Sequence, residues 1–84
     1  MTKIQLFKMA KESEKYAGSV KINDRYVEFG NARNVEKSEW AYIEDTSVGI
    51  VIEVNRHEDE DFKNFCGRIS KKYNNCFHTK RTEL

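Results

Sequence analysis

The residues best equipped for chemistry lie in one stretch, "HEDEDFKNFCGRISKKYNNCFH", running from His57 to His78. It holds both histidines and both cysteines of the chain, beside four consecutive acidic residues, Glu58 to Asp61. Imidazole and thiolate are zinc ligands, and a thiolate beside an imidazole is a nucleophile beside its base. Closed zinc sites bring their ligands in close pairs, however, and here Cys76 and His78 are the one such pair. Cys66 falls on the apolar stripe of a helical repeat. Phe77, which a closing strand would turn inward, points opposite to Cys76 and His78. The four side chains are therefore expected to diverge, with Cys66 acting as a small hydrophobe. The acidic run lacks the second histidine of H-E-x-x-H and the glycine of an EF-hand loop, so it reads as charge favoured at the start of a helix. No metal and no cofactor is expected.

Nothing else signals catalysis. There is no G-x-S-x-G, no P-loop and no G-x-G-x-x-G, and the four glycines are isolated. A single domain spanning residues 1–84 has little room for a water-excluding pocket, which points to a binding protein rather than an enzyme. Lys and Arg number 15 against 14 Asp and Glu, a formal charge of +1. That balance argues against a strongly basic nucleic-acid binder and against an acidic DNA mimic. The opening "MTKIQLFKMAK" has no signal-peptide character, and no apolar run approaches the roughly 20 residues that cross a bilayer. A cytoplasmic protein with free thiols and no membrane partner is the expectation. The abundance of Lys, Asn, Ile, Tyr and Phe fits AT-rich coding, as in many small phage and low-GC bacterial proteins.

The elements that must position a binding surface follow from periodicity. Residues 4–16 read two ways. Thr2 and Gln5 fit a capping box, with Leu6, Met9, Ala10 and Ser13 on one helical face, yet Ile4 to Met9 also alternate as a strand. "GSVKINDRYVEFGN" reads as a hairpin turning at Asn23-Asp24, with Val20 opposite Val27. Val20, Ile22, Val27 and Phe29 then share one face and Lys21, Tyr26 and Glu28 the other. After a polar connection with one helical turn begun by Asn34, "EWAYIEDTSVGIVIEVN" reads as a second hairpin. A turn at Thr46-Ser47 sets Ile43 against Ile50 and Ala41 against Ile52, with Trp40, Tyr42, Val51 and Glu53 on the opposite side. Phe62, Phe65, Cys66, Ile69 and Tyr73 form the stripe of an amphipathic helix from Glu58 to Tyr73, capped by Asn55 with Glu58 and stopped at Asn74-Asn75. Cys76 to Arg81 reads as a closing strand.

The predicted fold is α+β: an antiparallel sheet of four to five strands, made of two hairpins plus a C-terminal strand, with one helix on one face. Aliphatics collect on that face. Tyr26, Trp40, Tyr42 and Val51 stand on the other, beside Lys21 and Glu53, and form a candidate partner-binding patch of the aromatic, mixed-charge make-up found at protein interfaces. The patch is open if the N-terminal segment joins the helix side or the sheet, and closed if that segment packs over it. Small proteins of this kind act as inhibitors or adaptors of a larger protein, and a thin core also suits a homodimer. The alternative is single-stranded nucleic acid, bound through the same rings or through a secondary basic patch of Arg68, Lys71, Lys72, Lys80 and Arg81. The strand order and aromatic motif of RNA-recognition domains are absent.

Overall fold

The computed structural model of the chain describes residues 1–22 and 24–82, with side chains described through residue 75. Its elements run α1 (Lys3–Ser13), β1 (Ser19–Ile22), β2 (Arg25–Phe29), β3 (Trp40–Asp45), β4 (Ile50–Asn55) and α2 (Phe62–Thr82), with 3₁₀ turns at Glu14–Tyr16 and Val35–Lys37. The four strands form an antiparallel meander in the order β1-β2-β3-β4. This is an α+β fold.

Local chemistry resolves the N-terminal ambiguity in favour of a helix. The Thr2 hydroxyl accepts from the Gln5 N–H at 3.1 Å and the Gln5 side chain accepts from the Thr2 N–H at 2.9 Å, a complete capping box. Leu6, Ala10 and Ser13 are buried along the expected stripe. The helix ends in a 3₁₀ turn and Ala17, whose φ of 58° is left-handed. Gly18 follows at φ 71°, pressed so closely on Ala32 that a Cβ would sit 2.8 Å from its Cα, which glycine alone permits.

The first hairpin has the expected register, Val20 opposite Val27 and Ile22 opposite Arg25. Asn23, half of its predicted turn, lies outside the described residues. The second hairpin keeps the expected faces but shifts its register by two: Ile43 pairs with Ile52 and Ala41 with Val54. The connection spans Thr46 to Gly49 rather than Thr46-Ser47, because Asp45 organises it. The Asp45 carboxylate accepts from the Ser47 hydroxyl at 2.6 Å and the Ser47 N–H at 3.0 Å, and the Asp45 carbonyl accepts from the Gly49 N–H at 2.9 Å. Gly49 supplies the positive φ of 72° that closes the loop. A shift of two preserves parity, so each side chain stays on its own face.

Two expectations about the last third are overturned. The helix starts at Phe62, not Glu58, because β4 runs on to Asn55, which pairs with Trp40 and is not free to cap. Asp61 caps instead, its carboxylate accepting from the Asn64 N–H at 2.7 Å. The acidic run thus lies before the helix. No strand closes the chain either: Cys76 to Arg81 continues α2 as helix. Asn74 does not stop the helix, since its side chain is engaged with α1. It accepts from the Met1 amino group at 3.2 Å and donates to the Met1 carbonyl at 2.8 Å. Asn is only a mediocre helix former, about 0.6 kcal/mol below Ala, so it does not terminate a helix that packing sustains.

Both helices lie on the aliphatic face, so the N-terminal segment, which read as helix or strand, is a second helix on that side. They run antiparallel: Met1 meets Asn74, Lys3 packs beside Gly67, and Phe7 meets Phe62 at 5.9 Å between ring centroids. The Ser70 hydroxyl donates to the Thr2 carbonyl. Leu6 and Ala10, Phe65, Cys66 and Ile69, and Val27, Ala41 and Ile43 are fully buried in one cluster. Among the described residues no buried side-chain polar atom lacks a hydrogen-bond partner. Arg56 fastens the loops, donating to the carbonyls of Glu36, Ser38 and Glu60. Arg68 forks onto Glu60, at 2.7 Å from Nε to Oε2 and 2.8 Å from Nη2 to Oε1, and also reaches the Asn55 carbonyl.

Truncation of Leu6 to Ala is expected to cost about 2–5 kcal/mol, whereas exposed Ile4→Ala stays within about 0.5 kcal/mol; urea unfolding measures both. The Arg68 fork, helped by the His57 N–H, holds the Glu60 carboxyl down to about 2 from its ordinary 4.5. A lowered folded pKa stabilises above the unfolded value and is lost as pH falls through the folded one. Arg68→Met is therefore expected to lose about 1 kcal/mol at neutral pH, screening of the half-exposed guanidinium included. The gap to the parent chain should narrow as pH falls from 4.5 towards 2 in pH-resolved melts.

Candidate binding face

With both helices on the aliphatic side, the opposite face of the sheet has no covering element among the described residues. Register lays it out as a grid. One row across the strands is Ser19, Glu28, Tyr42 and Glu53, and the next is Lys21, Tyr26, Glu44 and Val51. A third row holds Gly30, whose N–H bonds the Trp40 carbonyl at 2.9 Å, then Trp40 and Asn55. Strand and pleat spacings make this face roughly 15 Å on a side. Val51 is 61% exposed and Trp40 38%, while Tyr26 and Tyr42 are half-buried among their neighbours.

Trp40 has a structural task as well as an exposed surface. Its indole lies flat over Gly30, where a Cβ would approach Cε2 to 2.7 Å, so the ring covers a backbone that only glycine leaves bare. Tyr42 packs against the indole, 4.9 Å between centroids and tilted by 56°. The Glu53 carboxylate, directly across the strands, raises the phenol's pKa above its ordinary 10.0. Lys21 sits 6.0 Å from the Tyr26 ring centroid, directly across from it on β1. The six residues predicted for the patch thus share one face, with Trp40 against Tyr42 and Lys21 against Tyr26.

The candidate patch left out two acidic residues of this face. Glu28 and Glu44 stand diagonally across β2 and β3 on this face, close enough for their carboxyls to interact. That contact, with partial burial and the neighbouring charge, raises Glu28 above the ordinary 4.5. Among the described residues, none of Glu28, Glu44 and Glu53 forms an ion pair. Strand alternation placed both residues with Tyr42; what it lacked was the cross-strand register that makes them neighbours.

The secondary basic patch is only partly assembled. Arg68 is held by Glu60, Lys71 and Lys72 are exposed on α2, and the side chains of Lys80 and Arg81 lie outside the described residues. Of the four chemically reactive side chains in the opening stretch, His57 is exposed in the loop before α2 and Cys66 is sealed in the core. Those of Cys76 and His78 fall outside the described residues. Burial pushes the Cys66 thiol up to about 12 against the lowering effect of Arg56, which removes its thiolate at neutral pH. Among the described residues no three His, Cys, Asp or Glu side chains converge as metal ligands. An apolar groove beside β1, lined by Met9, Ile22 and Tyr73 among others, offers lysines but no acid-base pair. No helix among the described residues is long and apolar enough to cross a membrane.

In a Cys76→Ser background, Cys66 should resist a thiol-reactive dye in the folded chain and react fully in denaturant; rapid native labelling would contradict the packing. Comparison with protein-family models, with curated proteins and with solved structures yields no match to this chain, so its functional reading rests on the geometry of this face.

Proposed function

We propose that this chain is a non-catalytic binding domain, an inhibitor or adaptor of a larger protein, that docks through the open face of its sheet. The observation that carries the reading is the placement of Trp40, Tyr42, Tyr26 and Val51 together on one face that neither helix covers. Large rings with polar edges supply much contact area at little entropic cost, and they dominate interface energetics. Lys21 and Glu53 form the charged rim. No cofactor is called for, and the cytoplasm is the compartment that suits free thiols.

A second reading, single-stranded nucleic acid, draws support from α2, on which every charged residue is cationic and Lys71 and Lys72 are exposed. It is weaker on the sheet itself, where Glu28, Glu44 and Glu53 would repel phosphate.

The immobilised chain, offered lysate from its native source, should retain a protein partner that Trp40→Ala with Val51→Ser loses. Melting of that variant should fall by only a few degrees, the cost of uncovering Gly30. Capture that ignores both substitutions would defeat the docking reading. Oligonucleotide binding that Lys71→Glu with Lys72→Glu abolishes, falling steeply with salt, would instead favour the second.

A further inference from the structure

The charge on the docking face says what its partner must carry. The chain as a whole is +1, yet this face presents Glu28, Glu44 and Glu53 against Lys21 alone. The carboxylates alternate with rings: Tyr42 lies between Glu28 and Glu53 in one row, and Glu44 between Tyr26 and Val51 in the next. Lys21 is two strands away from Glu44, faces Tyr26, and forms no ion pair with any of the three among the described residues. Glu28 and Glu44 set two carboxyls diagonally side by side, and among the described residues no cation pairs with either.

Resting on the protein-docking reading above, we infer that the occupant of this face is an arginine-bearing segment of another protein. A guanidinium is planar, forks onto carboxylates and stacks on aromatic rings, and this face supplies both kinds of contact side by side. The face's modest extent suits a short segment rather than a broad globular surface. A second copy of the chain presenting the same face would bring carboxylates against carboxylates, and a phosphate backbone would do likewise. The raised Glu28 pKa is consistent with a carboxyl pair awaiting a cation.

Trp40 is the only tryptophan, so its emission reports the face directly. Titration of the whole chain with a synthetic peptide of alternating arginine and glycine should change that emission. Affinity should weaken roughly five- to tenfold in Glu28→Gln with Glu44→Gln. Because those substitutions remove repulsion, the variant should melt at or above the parent temperature, separating lost binding from lost folding. A lysine-for-arginine peptide should bind more weakly. The inference is overturned if the arginine peptide leaves Trp40 unchanged at low salt, if a glutamate-for-arginine peptide binds as well, or if lysine equals arginine. It is also overturned if sedimentation shows self-association that Val51→Asp removes. If a protein partner needs Trp40 and Val51 but is indifferent to the Glu28 and Glu44 substitutions, docking stands and the arginine assignment falls. If the partner ignores Trp40 and Val51, the docking reading itself fails.

Discussion

The antiparallel pairing of α1 with α2 over one face of the sheet is the contact from which the remaining architecture follows. Leu6 and Ala10 on one helix and Phe65, Cys66 and Ile69 on the other join Val27, Ala41 and Ile43 in a single dry cluster. Helices pack about 10 Å apart, and four strands span roughly 15 Å, so two helices suffice to roof this sheet and one does not. Were α1 elsewhere, part of the aliphatic face would be wet, at a cost of about 25 cal/mol for each Å² exposed. Its placement is fixed further by the Met1–Asn74 and Thr2–Ser70 hydrogen bonds, which join the start of the chain to the middle of the last helix. With both helices used on one side, none remains for the other.

That allocation separates charge as well as polarity. α2 carries only cationic charges, and α1 carries Lys3, Lys8 and Lys11 against Glu12. The open sheet face carries Glu28, Glu44 and Glu53 against Lys21. A near-neutral total therefore conceals a molecule with a basic helical layer and an acidic, aromatic sheet surface. Steering of a charged partner depends on such local fields rather than on net charge. Like charges set side by side on a sheet surface are ordinarily unfavourable.

The polar connections tie the ends of the strands together. Asp45 is buried, its carboxyl held below its ordinary value chiefly by the Ser47 hydroxyl, with Arg25 adding to the effect. Arg56 ties the β2–β3 connection to the segment before α2 while its guanidinium lies 5.9 Å from the ring centroids of both Phe62 and Phe65. Glu14 accepts from the Val35 N–H and so joins the end of α1 to the same connection. A face displayed by strands fastened at both ends loses little entropy on docking.

Period and alternation alone determined much of this. Two-residue alternation assigned the aliphatic and aromatic side chains of both hairpins to their faces, because parity is insensitive to a register shift of two. The stripe Phe62, Phe65, Cys66, Ile69 and Tyr73 located the core of the long helix, and Thr2 with Gln5 marked the start of the first. Tertiary structure decided what depends on distant partners. Asn74 reads as a helix stop locally, but its side chain is engaged by Met1, so the helix continues where a strand was expected. Asn55 reads as a cap, but pairing with Trp40 keeps it in β4. Residues 4–16 suit helix or strand by pattern, and only packing against α2 placed them on the aliphatic side and left the aromatic side open. Local sequence encodes which way a side chain points along its own element; which elements meet is set by burial summed over the whole chain.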